Sequence, residues 1–414
     1  MHAIEKILAN KAGLDRVEAG QIVTCNIDFA EINDLYLQTV YSFWEMGGQK
    51  VFDKDKVAFV FDHYAPAPTI NTAQIHKEMR EFAKEQGLTH HFDINKGICH
   101  QVLPEAGLIY PGMIIVATDS HTTTHGAFGA FGTGIGATDM ATVLISGKLW
   151  FRVPELINIE INGTPSKNAF AKDVILYILG KVKADGAVYK AIEFSGNYVE
   201  ELGVSERMTI CNMAVEMGAK TAYMKPNEGV INYVNSRTSK DYTIYETDED
   251  YEYSEHLIFN IDGLEPQLAA PHSVDNNISV KDAIGTKINQ AFIGSCTGGR
   301  FEDIELAWKI LKGKKIHPHV RMVIIPASDE VLLSVIEKGY MTDLVEAGVT
   351  FTAPGCGPCL GTHAGVIADD EVCITSTNRN FPGRMGSNKA SIFLASPATV
   401  AASALNGYIT EPIV

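Results

Sequence analysis

The chain has 414 residues, of which 46% are hydrophobic and 20% charged, and its formal net charge is −16. Single cores stop growing below this length, so we expect two or three domains. No apolar run is long enough to cross a bilayer, and the N-terminus lacks a basic stretch followed by an apolar one, which together predict a cytoplasmic protein with no membrane span. The negative charge repels phosphate backbones, so nucleic acid is not an expected partner.

Buried strands and helices alternate along the chain. Hydrophobic, β-rich runs at 57–61, 113–117 and 322–325 end in short polar or glycine-containing loops, as parallel strands covered on both faces do. Helical spacing of apolar residues appears at 73–86 and 304–311. This alternation predicts α/β layers with the functional residues at the strand ends.

Composition changes near residues 153 and 258. The predicted units are three α/β domains, at 1–153, 154–258 and 259–414, and the last carries the paired cysteine motifs. Residues 233–255 are polar and include an acidic run, for which a solvated surface excursion is favoured over a binding role.

Polar side chains follow two of the predicted strands. Asp62 and His63 are adjacent, and a carboxylate beside an imidazole can set its charge and orientation, although a surface pair is the commoner meaning of such a dipeptide. Residues 118–122, TDSHT, combine carboxylate, hydroxyl and imidazole. They do not predict a serine hydrolase, because the Ser, His and Asp of a catalytic triad normally come from separated segments of the chain. The glycines of 127–136 fit a dinucleotide loop poorly and indicate tight packing of a helix start against the sheet.

Seven cysteines are scattered over the chain, an odd number that argues against a disulfide framework. Three of them stand in SCTGGR at 295–300 and PGCGPC at 354–359, loops whose Gly and Pro residues can wrap closely around an inorganic centre. On spacing alone, a structural zinc site with His363 as an extra ligand competes evenly with an iron-sulfur cluster, and a thioredoxin-like thiol pair is less favoured. The other four are expected to be small core residues: Cys25, Cys99, Cys211 and Cys373.

The segment NRNFPGRMGS at 378–387 favours the cluster among these alternatives. It puts two arginines five residues apart around a turn, a fork suited to carboxylates. Together, Ser-Cys-Thr, Pro-Gly-Cys-Gly-Pro-Cys and Asn-Arg-Asn-Phe-x-Gly-Arg resemble the motifs of the aconitase superfamily. Length and the ending soon after 394–399 resemble its separate large subunits of the isopropylmalate isomerase and homoaconitase type.

This resemblance implies three α/β/α domains around a central iron-sulfur cluster, without the swivelling fourth domain. Cys296, Cys356 and Cys359 would hold a 4Fe-4S cluster whose fourth iron has no protein ligand, so that it acts as a Lewis acid on the substrate. The implied reaction is dehydration and hydration of a small hydroxy di- or tricarboxylic acid such as 3-isopropylmalate, with homocitrate, citramalate or a dimethylmalate as alternatives. A small partner subunit would bring a serine base and further arginines.

The resemblance also assigns roles to individual side chains. His63, backed by Asp62, is expected to protonate the departing hydroxyl. His100 with Glu216, and His121 with Asp119, are expected to complete the hydrogen-bond network. Contacts with the substrate or the cluster are implied for Gln38, Ser120, Asn212, Asn378, Arg379 and Arg384, of which the two arginines would clamp carboxylates.

One position departs from the family pattern. At Gly298 the family usually has Asn, so either another group replaces that side chain or the site is retuned for a different substrate. Two other classes of protein stay open: a cluster-shedding RNA-binding regulator, which the negative charge opposes, and a structural zinc protein.

Overall fold

The computed structural model describes residues 1–414. Its strands form three sheets that follow one another along the chain, together with one antiparallel ribbon that pairs Ile22–Asn26 with Lys148–Arg152. The first sheet has five parallel strands, in the order His90–Phe92, Val57–Val60, Phe29–Asn33, Ile114–Ala117 and Phe131–Gly134.

The second and third sheets are formed by later parts of the chain. The second has four parallel strands, in the order Thr221–Tyr223, Ala191–Ser195, Leu156–Asn162 and Glu255–Asn260. The third has seven strands, in the order Asn277–Ser279, Gln267–Ala269, Ser391–Leu394, Val372–Thr375, Gln290–Ile293, Arg321–Ile324 and Thr350–Phe351. Gln267–Ala269 runs antiparallel to both of its neighbours, and the remaining pairs are parallel.

Helices connect the strands and cover the sheets. The α-helices are Ala3–Ala12, Leu37–Glu45, Ile70–Gln86, Cys99–Glu105, Ala137–Ser146, Ala171–Val182, Asn197–Glu201, Val204–Met213, Glu228–Asn235, Ser295–Gly298, Phe301–Leu311, Asp329–Glu337, Tyr340–Ala347 and Pro397–Asn406. Short 3-10 helices lie at Ser120–Phe128, Ala214–Met217, Val280–Ala283 and Gly357–Leu360. None of these helices combines the length and apolar character needed to span a membrane.

The predicted strands and helices are confirmed within a few residues. The helices predicted at 73–86 and 304–311 begin about a turn earlier, at Ile70 and Phe301. Polar capping explains the extra turn, because Thr69 accepts the N–H of Thr72 and Asp303 accepts the N–H of Arg300. The domain boundaries stay predictions; the strand Glu255–Asn260 crosses residue 258 and pairs with Leu156–Asn162.

The stretch 233–255 lies at the surface as expected, with only Val234 buried, and part of it also contacts the N-terminal helix. Asp248 forms ion pairs with the N-terminal amine of Met1 and with Lys6. The Tyr251 hydroxyl lies 3.3 Å from a Glu5 carboxylate oxygen. These contacts fix the stretch against the N-terminal helix, which its acidic composition did not reveal.

The largest hydrophobic core unites the three successive regions of chain. It contains 54 buried residues, from Phe29 to Leu394, and includes Cys296, Cys356 and Cys359. The predicted cysteine ligands therefore lie inside the molecule, where elements of the different sheets meet.

Candidate active site

Most predicted site residues follow the carboxyl ends of parallel strands, the usual location of sites in such sheets. The pairs of strand and site residue are Val57–Val60 with Asp62 and His63, Ile114–Ala117 with Asp119, Gln290–Ile293 with Cys296, and Val372–Thr375 with Asn378. Strands of the first and third sheets thus supply opposite sides of one site.

Glycine allows the loop of Cys356 and Cys359 to approach its neighbours closely. Gly357 has φ +56, and a Cβ built on it would lie 2.1 Å from Cδ1 of Ile325. The N–H of Cys356 donates to the carbonyl of Asp62 at 2.8 Å. The cysteine loop is therefore fixed directly onto the loop that carries His63.

The three predicted ligand cysteines line one cavity of about 340 Å³, a volume that includes space open to solvent. Three histidines, an aspartate, an asparagine and an arginine share its wall: His63, His100, His121, Asp119, Asn378 and Arg384. The structure thus brings together residues from distant parts of the sequence, from His63 to Arg384.

Nitrogen donors face two of the thiols. Nδ2 of Asn378 lies 3.3 Å from Sγ of Cys296, and Nη2 of Arg384 lies 3.5 Å from Sγ of Cys359. Burial raises the pKa of the Cys296 thiol to about 12, so a nearby cation is needed to stabilise a thiolate there. Three thiols around one cavity, with donors directed at sulfur, fit an iron-sulfur cluster.

A single metal ion is the competing use of part of this site. Asp62, His63 and Cys356 offer ligand atoms that all lie within 4.8 Å of one another. The extra zinc ligand considered from the sequence is engaged elsewhere, because Nε2 of His363 lies 2.9 Å from the carbonyl oxygen of His63. His363 does not line the thiol cavity.

Asp119 is the centre of the histidine side of the cavity. Its Oδ1 lies 2.9 Å from Nε2 of His100 and accepts the N–H of His121 at 2.7 Å, while its Oδ2 lies 3.4 Å from Nε2 of His63. Burial opposes ionisation, but these three histidines outweigh it and hold the pKa of Asp119 well below its usual range. Asp119 is therefore an anion shared by three histidines.

His63 is held by the carboxylate that precedes it. Nδ1 of His63 lies 2.6 Å from Oδ1 of Asp62. Burial acts to lower the pKa of His63, whereas the charges of Cys356 and Asp62 and hydrogen bonds to Asp119 and Asp62 raise it well above its usual value. The surface-pair interpretation of this dipeptide is wrong, since Asp62 is fully buried and His63 is 7% exposed.

The predicted pairing of His100 with Glu216 is wrong. His100 contacts Asp119, and it is Nε2 of His121 that lies 2.8 Å from Oε1 of Glu216. The reason is packing: the 3-10 helices Ser120–Phe128 and Ala214–Met217 lie against each other and bring His121 to Glu216. His121 still meets Asp119, chiefly through its backbone N–H.

Arg379 and Asn212 extend this network. Nε of Arg379 donates to Oε1 of Glu216 at 2.7 Å, and the guanidinium is partly exposed. Nδ2 of Asn378 donates to Oδ1 of Asn212 at 3.3 Å. Nδ2 of Asn212 donates to Oγ1 of Thr124 at 2.8 Å, and that hydroxyl donates to the carbonyl of His121. Hydrogen bonds therefore connect the histidine side with the Cys296 thiol.

Two predicted substrate contacts lie away from the thiol cavity. Ser120 lines a second, outer cavity of about 970 Å³, open to solvent, and Asp119 lines both cavities. Gln38, the second residue of the helix Leu37–Glu45, is exposed and lines neither cavity. Its assignment stays a prediction without geometric support.

Three residues of the site escaped the sequence analysis. Asp34 accepts the N–H groups of His63 at 2.9 Å and Tyr64 at 2.8 Å, and thereby fixes the turn. It directly follows a buried strand, the signal that identified its neighbours. Cys99, expected only in the core, is buried and also lines the thiol cavity. Glu31 is fully buried without a hydrogen-bond partner, and burial raises its pKa well above the usual range; no sequence signal marks it.

Ser376 fills the space that a side chain at position 298 would need. A Cβ built on Gly298 would lie 2.4 Å from both Cβ and Oγ of Ser376. The same Oγ accepts the N–H of Gly294 at 3.1 Å, just before the cysteine. A side chain at position 298 would therefore require Ser376 to move.

The fold and the cavity define a parallel α/β protein with a thiol-lined centre beside buried acid–base groups. The family model described as Aconitase family (aconitate hydratase) matches residues 48–286 and 282–407. The chain belongs to the aconitase family, as the sequence motifs indicated.

Relatives that carry two different names match nearly the whole chain. The 3-isopropylmalate dehydratase large subunit 1 of Methanopyrus kandleri is 50% identical over 99% of this chain and 98% of its own. The probable methanogen homoaconitase large subunit of Methanothermobacter thermautotrophicus is 48% identical over 100% of this chain and 97% of its own. The 3-isopropylmalate dehydratase large subunit of Caldanaerobacter subterraneus is 45% identical over 99% of this chain and 98% of its own.

Proposed function

We propose that this chain is the large subunit of a cytoplasmic iron-sulfur hydro-lyase that removes and returns water on a small hydroxy acid, with 3-isopropylmalate as its substrate. The observation that carries the proposal is one cavity in which three thiols face three histidines paired with carboxylates. The names of the relatives from Methanopyrus and Caldanaerobacter support the choice of substrate.

Cys296, Cys356 and Cys359 would hold the 4Fe-4S cluster. When bound, a cluster with one iron free of protein ligands supplies a Lewis acid for the substrate's hydroxyl and carboxylate. Asn378 and Arg384 support this ligand set, because N–H donors at Cys296 and Cys359 stabilise sulfur that carries negative charge.

His63 is the proposed acid for the departing hydroxyl. Asp62 occupies its Nδ1, so Nε2, which lies 3.4 Å from Oδ2 of Asp119, is the nitrogen proposed to exchange a proton with the substrate. A proton on Nε2 can pass to a leaving oxygen within hydrogen-bond reach, and Asp62 then balances the charge change on the ring. His100 on Asp119 and His121 on Glu216 would keep water oriented beside it.

The arginine fork is proposed to bind the substrate's carboxylates. Glu216 occupies Nε of Arg379, which fixes the guanidinium plane and leaves its two terminal nitrogens for a bidentate contact. Arg384 bonds Cys359 through one terminal nitrogen, so it can hold a carboxylate close to the cluster.

Homoaconitate chemistry is the second candidate, because the Methanothermobacter relative with that name covers the whole chain. The large-subunit names of the relatives also support a small partner subunit here.

The test is turnover by the chain, reconstituted anaerobically with iron and sulfide, with and without a co-purifying small subunit. We expect the complex to dehydrate 3-isopropylmalate with the highest kcat/KM and the single chain to be inactive. Higher kcat/KM on homocitrate would transfer the proposal to the second candidate. No turnover of any hydroxy acid by the loaded complex would reject both, and full turnover by the single chain would refute the partner.

A further inference from the structure

Two cations are buried at helix starts behind the thiol cavity. Lys172 is the second residue of the helix Ala171–Val182 and is 3% exposed. Arg300 immediately precedes the helix Phe301–Leu311 and is 2% exposed. Neither forms an ion pair with a carboxylate within 4.0 Å, and neither has a role in the proposed reaction.

Both cations bind main-chain carbonyls of the loops that carry site residues. Nζ of Lys172 donates to the carbonyls of Ser376 at 3.1 Å and Thr377 at 2.6 Å, directly before Asn378. Nη2 of Arg300 donates to the carbonyl of Cys296 itself. Each positive charge therefore contacts the main chain at a residue of the thiol cavity or directly before one.

These positions are electrostatically unfavourable for a cation on its own. The N-terminus of a helix carries partial positive charge, and a buried charge without a partner is costly. The nearby carboxylates do not fully offset it. Asp173 and Asp303 cap the same two helices, and their carboxylates bond backbone N–H groups and form no ion pair with either cation.

The thiol of Cys296 is close enough to interact electrostatically with both cations, and that of Cys359 interacts with Lys172. We propose that Lys172 and Arg300 are positioning residues for the metal centre: their fixed charges offset the negative charge of the metal-bound thiolates and hold the Cys296 and Asn378 loops around it. This inference rests on the proposed function, because the compensating negative charge comes with the cluster.

Arg207 is a third buried cation that bonds main-chain carbonyls, and it does not bond the loops of the thiol cavity. It is 1% exposed and donates to the carbonyls of Val199, Leu202 and Lys225. Two of these carbonyls lie at the C-terminal end of the helix Asn197–Glu201, where the helix dipole is negative and favours a cation. Arg207 is thus a buried cation that needs no metal centre, and it serves as a matched control.

The experiment compares Lys172→Gln, Arg300→Gln, Arg300→Lys and Arg207→Gln in the full chain. Each protein is loaded anaerobically with iron and sulfide, both are counted per chain, and loss of visible absorbance is followed after a chelator is added. We expect Lys172→Gln and Arg300→Gln to lose iron about 10-fold faster than the unaltered chain, the usual effect of removing a supporting partner at a metal site. Arg300→Lys should retain iron because it retains the charge, and Arg207→Gln should retain it whatever its thermal stability.

The outcomes separate this inference from the proposed function. If the unaltered chain takes up no sulfide, both fail. If it holds its cluster and the two Gln variants keep iron as well as Arg207→Gln does, only the role of Lys172 and Arg300 is overturned. If a Gln variant does not fold, Arg300→Lys decides the outcome. A folded Arg300→Lys protein that loses iron faster than Arg207→Gln overturns the role of Lys172 and Arg300. A folded Arg300→Lys protein that loses iron at the rate of the unaltered chain supports that role.

Discussion

The two walls of the cavity differ in chemistry and in origin. The thiol wall comes from residues 296–384 and presents N–H and guanidinium donors to sulfur. The histidine wall comes from residues 63–121 and places carboxylates between imidazole rings. The thiol wall suits an anionic metal centre, and the histidine wall suits the transfer of protons. Substitutions in the thiol wall should remove the metal, whereas substitutions in the histidine wall should slow turnover and leave the metal in place.

The largest effect should come from the thiol wall. Replacing Cys296, Cys356 or Cys359 by Ser removes a soft ligand, and we expect loss of both bound sulfide and turnover. Sulfide and iron counts per chain measure this. Cys99→Ala is the matched control, since Cys99 is buried and lines the same cavity. Loss of the cluster in Cys99→Ala as well would mean that four thiols hold it, which would contradict an open iron.

The histidine wall should respond differently. Asp119→Asn removes the charge shared by His63, His100 and His121, and we expect kcat to fall by about 10²–10⁴, the range for loss of acid–base catalysis. Iron content should be unchanged. A variant with kcat close to that of the unaltered complex, or one that loses its iron, would abolish the distinction between the two walls.

Arg379→Lys sharpens the comparison at the edge where the walls meet. Lys cannot both bond Glu216 and hold a carboxylate bidentately, so we expect KM to rise by roughly 10-fold, or about 1.4 kcal/mol of binding, with a smaller change in kcat. Arg321→Lys is the control, because Arg321 pairs with Glu371 at the surface. An equal KM in the two variants would exclude Arg379 from substrate binding.

The smallest effect concerns the packing behind the Cys296 loop. Gly298→Asn forces Ser376 to move, and we expect a loss of about 1–3 kcal/mol in the free energy of unfolding, measured with denaturant. Adding Ser376→Gly should recover part of it by making room. Unchanged stability in the single variant would show that the loop accommodates a side chain at position 298 freely.

The thiol wall could be predicted from the sequence because its information is local. Two short cysteine loops and one arginine fork specify it, and the apolar runs before them predict the strands. The histidine wall could be predicted only in part. Asp62 and His63 follow a readable strand, but the partner of His121 lies 95 residues away and is selected by the packing of two 3-10 helices.

Burial accounts for the other differences. Lys172, Arg300 and Cys99 resemble ordinary residues in the sequence. Only the packing of separate regions shows that Cys99 lines the cavity and that the two cations bond the loops of Cys296 and Asn378. Gln38 is the opposite case. Its position in a family motif predicted a substrate contact, but the fold leaves its side chain at the surface. Position along a strand predicts that a residue is near a site, whereas its contacts depend on the tertiary arrangement.

The central claim is that three thiols of this chain hold an iron-sulfur cluster. Analysis of iron, zinc and acid-labile sulfide in anaerobically purified protein tests it most directly. We predict about four iron and about four sulfide per chain. Zinc without sulfide, or no metal at all after reconstitution with iron and sulfide, would contradict the account.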